Sequence, residues 1–206
     1  MAFTIFDTPI LNAVLHLAAR ILLRIRGWAL EGRLPDLPQY VVIAAPHTSN
    51  WDLPVMLAIA FAFRARVFWM GKEAIFRRPF GGFFRWLGGI PIDRSRSNDA
   101  VAQSIELFRR NPKLVLVVPP EGTRRKVRSW KTGFYYIASG AGVPIALGFI
   151  DYRRKAGGFG PLLVPTGDIV ADMRQIRAFY STVSGKYPER SGEASLAPAD
   201  GPAPPG

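Results

Sequence analysis

The sequence predicts a single α/β domain in which a central, mostly parallel (mixed) sheet is flanked by helices and preceded by an N-terminal amphipathic helix. Apolar runs of strand length alternate with segments of helical periodicity, the pattern of parallel strands joined by helical crossovers. The β-branched run at 113–118 is typical of a strand buried on both faces. With 206 residues, 49% of them hydrophobic, the chain is long enough for one full core.

Residues 1–27 are predicted to form the amphipathic helix. Asp7 and Pro9 supply a capping side chain and a proline at the first helical position, and Gly27 can end the helix. The apolar positions recur at helical spacing and are Ile10, Leu11, Val14, Ala18, Ile21, Leu22 and Ile25, with Arg20, Arg24 and Arg26 toward the other side. Such a helix either packs on its own domain or lies in a membrane interface, and the pattern alone favours neither.

Residues 28–187 are predicted to form the α/β domain itself. Its strands are expected at 40–45, 66–70, 90–92, 113–118 and 144–150, with a shorter one near 162–164. Its helices are expected at about 50–63, within 79–87, from 98 to about 111, around 133–141 and at 168–183. Residues 188–206 are rich in proline and glycine and lack apolar periodicity, so they are predicted to be a disordered tail.

The composition restricts the partners and the kinds of site that this chain can have. It contains 27 Lys and Arg against 15 Asp and Glu, and the net charge of +12 indicates an anionic partner: nucleic acid, an anionic membrane or a phosphorylated small molecule. The basic residues are interleaved with aliphatic and aromatic ones, which argues against nucleic acid. With no cysteine and only two histidines, the chain is not expected to hold a metal.

Contact with a membrane is expected to be peripheral or monotopic. The longest apolar run, 53–63, is shorter than the roughly 18 residues of a spanning helix. The N-terminus also lacks the features of a secretory signal. The aromatic and basic side chains within 76–86 belong to the core by default, and the alternative is a membrane-facing patch, because such side chains together favour lipid interfaces.

His47 is the strongest candidate for a general base. It follows the apolar strand 40–45 closely, and Asp52 stands five residues further on, at the predicted start of a helix. A carboxylate in that position can fix the tautomer of the imidazole and stabilise the imidazolium that forms when the ring takes a proton. A histidine and an aspartate at this spacing, with no other motif nearby, more often form a local helix cap or a surface ion pair. The other histidine, His16, is expected to be an ordinary surface or boundary residue.

Two further polar motifs follow predicted strands. Arg94 comes just after the strand at 90–92, and Glu121 opens Glu-Gly-Thr-Arg after the strand at 113–118. In open α/β sheets, ligands bind beyond the carboxyl ends of the strands. We therefore expect His47, Arg94 and Glu121 to share one site.

Four motifs in this order and spacing resemble the glycerolipid acyltransferase family, typified by 1-acylglycerol-3-phosphate acyltransferases. They are His47-x4-Asp52, Gly89-Ile-Pro-Ile-Asp-Arg94, Pro120-Glu-Gly-Thr-Arg124 and Val143-Pro-Ile145, and the resemblance covers about residues 40–150. It implies transfer of an acyl group from acyl-CoA or acyl-carrier protein to a hydroxyl of a lysophospholipid-type acceptor, with no other cofactor.

The resemblance also implies roles for individual residues. His47 is then the base and Asp52 its partner, while the acceptor site is lined by Arg94, Glu121, Gly122, Thr123 and Arg124. The stretch 129–133 matches the family's basic segment, which gives Lys131 a place beside the acceptor. Trp130 stands where phenylalanine is commoner in the family.

The chemistry of these residue types agrees with such a role. His47 removes the hydroxyl proton as the oxygen attacks the thioester carbonyl, and the direct transfer requires no covalent intermediate. The guanidinium groups of Arg94 and Arg124 suit a phosphate. Glu121 is expected to orient an arginine or to accept from the acceptor hydroxyl.

The expected location is the cytoplasmic face of the cell membrane, with anionic lipids, the lysolipid acceptor and the acyl donor as partners. Two alternatives from other classes stay open. One is a non-catalytic basic module that binds anionic lipid or nucleic acid. The other is a hydrolase that uses the same histidine to activate water on a thioester or ester.

Overall fold

The computed structural model describes residues 3–92 and 97–197, and their strands form one seven-stranded sheet. The strands are β1 (Ala29–Glu31), β2 (Gln39–Ala45), β3 (Val67–Lys72), β4 (Gly89–Ile92), β5 (Leu114–Val118), β6 (Ile145–Asp151) and β7 (Ala156–Leu163). The helices are α1 (Pro9–Ile25), α2 (Asp52–Ala62), α3 (Gly81–Trp86), α4 (Ser97–Arg110), α5 (Gly133–Ala141) and α6 (Ile169–Tyr180). Single 3-10 turns lie at Ile5–Asp7, Glu73–Phe76 and Pro188–Arg190.

The strand order is β1-β7-β6-β2-β5-β3-β4, with β2 at the centre. Every neighbouring pair is parallel except β6 and β7, which are antiparallel. This confirms the predicted α/β domain with a mostly parallel, mixed sheet. Because β2, β3, β4, β5 and β6 run in the same direction, the segments that follow them all start at one edge of the sheet.

The two faces of β2 belong to two separate cores. Val41, Ile43 and Ala45 pack with α4, α5 and α6, whereas Tyr40, Val42 and Ala44 pack with α1 and α2. Every residue of β2 after Gln39 is buried, as expected of a strand covered on both sides. The turn that carries His47 therefore leaves the sheet from its central strand, which is covered on both faces.

Helix α1 packs on the domain with one face and leaves an apolar stripe exposed on the opposite face. Ala19 and Leu23 are buried, and His16 Nδ1 lies 3.0 Å from the carbonyl oxygen of Phe61 at the end of α2. Five exposed side chains at helical spacing form what we call the α1 stripe, namely Ile10, Val14, Leu17, Ile21 and Ile25, and Leu22 is exposed beside them. One face of α1 therefore packs on the domain, which is one of the two predicted alternatives, and the α1 stripe on the other face points away from the domain.

Residues 191–197 pack on the domain, contrary to the predicted disordered tail, whereas residues 188–190 are exposed and residues 198–206 lie outside the described part of the chain. The backbone amide of Trp130 donates to the carbonyl of Ser195 at 2.9 Å, and its indole N–H donates to the carbonyl of Gly192 at 3.3 Å. Ala194 is buried in the core beside α5 and α6. The contacts that order this segment come from elsewhere in the chain, which explains why its own lack of periodicity was misleading.

Candidate active site

The carboxylate of Asp52 is the centre of the turn that follows β2. It is fully buried, and one of its oxygens, Oδ2, accepts from the backbone amides of Thr48 and Ser49 at 2.8 Å each. The same oxygen lies 3.1 Å from Nδ1 of His47. Its second oxygen, Oδ1, accepts from the hydroxyl of Tyr152 at 2.9 Å. A buried carboxylate needs such donors, since an unpaired charge in the interior costs several kcal/mol.

His47 is oriented by this carboxylate. Because an ionised carboxylate can only accept, Nδ1 carries the proton in the 3.1 Å contact and Nε2 is left with a free lone pair. The side chain is 24% exposed, against 0% for Asp52. The imidazole therefore combines a fixed tautomer with access to the cavity that it lines, which is the arrangement of a general base.

Glu121 holds the His47 turn from the side of β5. Its Oε2 accepts from the backbone amide of His47 at 2.7 Å, and the residue is only 2% exposed. It lies behind the turn rather than among the residues that line the adjoining cavities. The contact that the structure shows for Glu121 is thus with the main chain of His47, and the expected contact with an arginine or an acceptor hydroxyl stays a prediction.

The pKa values of the two buried carboxyl groups, Asp52 and Glu121, are shifted in opposite directions. Burial alone would raise the pKa of Asp52, but hydrogen bonds from His47, the Ser49 amide and Tyr152 outweigh it and hold the pKa below its ordinary value. Burial raises the pKa of Glu121 to about 7, against weaker opposing contributions from the amides of His47 and Gly192. Asp52 is thus an anion at neutral pH, while Glu121 is divided between its two forms.

A cavity of about 500 Å³, to which we refer as the His47 cavity, opens in front of His47, and its wall combines polar with apolar side chains. Gly122, Thr123 and Arg124 line it together with Asn50, whose side-chain oxygen accepts a hydrogen bond from Nη1 of Arg124. The cavity thus joins the predicted base to three of the predicted acceptor residues. A guanidinium at its wall is suited to a phosphate.

Lys131 lies on the other side of Gly122, in a second cavity of about 550 Å³. Gly122 has a φ of +65°, and a Cβ there would come within 3.3 Å of the Lys131 side chain. The two cavities share Met70, Pro119 and Gly122. Lys131 is therefore next to the predicted acceptor site but does not share a cavity wall with His47.

A narrow apolar cavity of about 80 Å³ continues from the His47 cavity between the sheet and α2. The two have five lining residues in common, which are Ala44, Leu53, Met56, Trp69 and Val117. Its remaining walls carry only aliphatic and aromatic side chains and glycine backbone. An apolar chain attached to a group that reacts at His47 would therefore find an apolar continuation.

The sequence-predicted residues divide into three groups. His47, Asp52, Gly122, Thr123 and Arg124 come together around the first cavity, Glu121 and Lys131 lie beside it, and Arg94 falls outside the described residues. Sequence reasoning missed Tyr152 and Asn50. Tyr152 follows the last residue of β6 directly, so the strand-end rule that identified His47 would also have identified it.

Replacement of Glu121 by glutamine tests the raised pKa. Glutamine keeps an oxygen for the His47 amide but cannot ionise. Between about pH 4.5 and about pH 7 the folded wild type holds a proton that the unfolded chain has lost, so its free energy of unfolding falls as the pH rises. Measured by urea denaturation at a series of pH values, the wild type should lose about 3 kcal/mol relative to Glu121→Gln across this window. A pH-independent difference would contradict the assignment.

Comparison with known proteins shows which family the chain belongs to. The family model described as Acyltransferase matches residues 32–146, more than half of the chain. A 1-acyl-sn-glycerol-3-phosphate acyltransferase of Haemophilus influenzae is 31% identical over 128 residues, which is 58% of this chain and 52% of that protein. The protein of that name from Escherichia coli is 30% identical over 129 residues, or 58% and 51%. The matches thus span about half the length of these curated relatives.

A solved structure supports the same fold. The crystal structure of the 1-acyl-sn-glycerophosphate (LPA) acyltransferase PlsC from Thermotoga maritima aligns with a TM-score of 0.58 and 19% sequence identity, covering 85% of this chain and 82% of that one. At this identity the likeness concerns the fold. The family match, which includes the turn of His47 and Asp52 and the segment of Glu121 to Arg124, shows that the chain belongs to the Acyltransferase family.

Proposed function

We propose that this protein transfers an acyl group from a thioester donor, acyl-CoA or acyl-carrier protein, to a hydroxyl of a lysophospholipid-type acceptor such as 1-acylglycerol-3-phosphate. The observation that carries the proposal is the pairing of His47 with the buried carboxylate of Asp52 at the wall of a cavity that also contains Arg124. The relatives' names supply the acceptor class, since those proteins are 1-acyl-sn-glycerol-3-phosphate acyltransferases.

The reaction begins when Nε2 of His47 takes the proton of the acceptor hydroxyl. The oxygen attacks the thioester carbonyl, and the new C–O bond forms as the carbonyl oxygen gains negative charge. When the tetrahedral intermediate collapses, the C–S bond breaks and the imidazolium returns its proton to the leaving thiolate. Asp52 remains an anion throughout and stabilises the positive charge on the ring.

The cavities fit the two ends of such substrates. Arg124 offers paired N–H donors to a phosphate in the His47 cavity, and Lys131 adds a positive charge on the far side of Gly122. The apolar cavity between β2 and α2 suits an aliphatic chain whose carboxyl carbon reacts at His47. Arg94 stays a predicted phosphate ligand.

Replacement of His47 by alanine should lower kcat for acyl transfer by about 10²- to 10⁴-fold, because the general base is lost. Release of free thiol from acyl-CoA and from acyl-carrier protein, with and without a panel of lysolipids, measures the rate. The matched control is His16→Ala, which removes the other histidine and its contact with Phe61. It should keep the wild-type rate.

Three results, from this assay and from a parallel measurement of DNA binding, would contradict the proposal. Thiol release that does not depend on the acceptor would indicate a hydrolase. Absence of thiol release together with salt-dependent binding to DNA would indicate a basic binding module. An unchanged rate in His47→Ala would remove the histidine from the reaction.

The same substrates place the reaction at a lipid surface, so we also propose peripheral binding to anionic membrane at the cytoplasmic face. The α1 stripe supports this, because five apolar side chains are exposed in a row on the face opposite the packed one. Arg20 and Arg24 are exposed beside it, and the helix contains no acidic residue. None of the helices in the described ranges combines the length and the apolar character that crossing a bilayer requires.

The double variant Val14→Glu, Leu17→Glu tests this surface. Two carboxylates on the α1 stripe should weaken binding to vesicles of anionic phospholipid by at least about 10-fold, since apolar burial is lost and repulsion is added. Co-sedimentation with the vesicles measures the change. The control is Leu162→Glu, Val164→Glu, a Leu and Val pair that is exposed elsewhere on the domain. Equal losses in both variants, or none in either, would contradict the assignment.

A further inference from the structure

We propose that Tyr152 is a positioning residue that fixes the carboxylate of Asp52, and through it the imidazole of His47. The inference deepens the proposed acyl transfer and rests on it for its kinetic consequences. Its geometric content, a Tyr152–Asp52–His47 chain of hydrogen bonds, stands on contacts of the described residues alone.

The two oxygens of Asp52 have unequal partners. Three donors converge on Oδ2: Nδ1 of His47 and the amides of Thr48 and Ser49. Oδ1 accepts a hydrogen bond from the hydroxyl of Tyr152 at 2.9 Å. Because a carboxylate held at one oxygen can still turn about its Cβ–Cγ bond, the bond at Oδ1 sets the plane of the group. That plane aims the Oδ2 lone pairs at the imidazole.

Tyr152 is itself held from two sides. Its ring packs edge-to-face on Trp28, with 5.2 Å between ring centroids, and its backbone amide donates to the carbonyl of Ser184 at 2.9 Å. Burial and the Asp52 carboxylate raise the pKa of Tyr152 above its ordinary value, so the hydroxyl keeps its proton and remains a donor. The ring position does not depend on the hydroxyl, and phenylalanine can keep these packing contacts.

A second tyrosine supplies a matched comparison. The hydroxyl of Tyr135 donates to the buried carboxylate of Asp172 at 2.9 Å, the same kind of bond at the same length. Asp172 also accepts from Thr166 and lies at α6, outside the residues that line the cavity of His47. If tyrosine hydroxyls merely satisfy buried carboxylates in this fold, the two phenylalanine variants should behave alike.

The first readout is kinetic. Tyr152→Phe should lower kcat by about 10- to 100-fold with KM for both substrates nearly unchanged, because a base that is misaligned reacts more slowly without altering the binding cavities. Tyr135→Phe should keep the wild-type kcat. Thermal unfolding of both variants shows whether each remains folded at the assay temperature.

The second readout does not require activity. The proton on Nδ1 of a histidine bonded to a carboxylate gives a low-field NMR resonance, and the chain has only two histidines. The resonance lost in His47→Ala and kept in His16→Ala belongs to His47. It should move or broaden in Tyr152→Phe and stay in place in Tyr135→Phe.

These readouts separate the inference from the proposed function. A shifted His47 resonance in a protein without acyl transfer would retain the positioning role and reject the proposed function. A His47 resonance that is unmoved in Tyr152→Phe, or a kcat loss of equal size in Tyr135→Phe, would overturn the positioning role even if acyl transfer is observed.

Discussion

The buried charge of Asp52 is the constraint on which the site depends. A carboxylate without contact with water must find its donors in the protein, and here they come from the turn after β2 and from the residue after β6. The same carboxylate oxygen thus holds both the backbone of the turn and the imidazole. The parallel pairing of β2 with β6 makes it possible, because both strands end at the same edge of the sheet.

Glu121 complements this arrangement from the β5 side. It holds the main chain of His47, whereas Asp52 holds its ring. The two carboxyl groups have different environments and opposite pKa shifts, so that Asp52 is ionised at neutral pH and Glu121 is only partly ionised there. A second full charge so close to Asp52 would raise the cost of burying both.

The sequence predicted those features that follow from strand order and strand ends. The sheet, the pairing of His47 with Asp52 and the cavity residues 122–124 all obey the rule that ligands lie beyond the carboxyl ends of parallel strands. Three features could not be read in this way. β7 contains three glycines and so lacks a strong strand signal. The segment 191–197 packs on the domain through contacts with Trp130 from another part of the chain. The contact between Glu121 and the main chain of His47 has no signature in the sequence.

In the proposed mechanism the negative charge of Asp52 makes His47 a base. The kcat of Asp52→Asn for acyl transfer tests it most directly, because asparagine keeps the size of the side chain and one accepting oxygen while removing the charge. We expect a loss of kcat on the order of 10³-fold, with the circular dichroism spectrum unchanged. A variant that remains folded and retains kcat within about 10-fold of the wild type would contradict it.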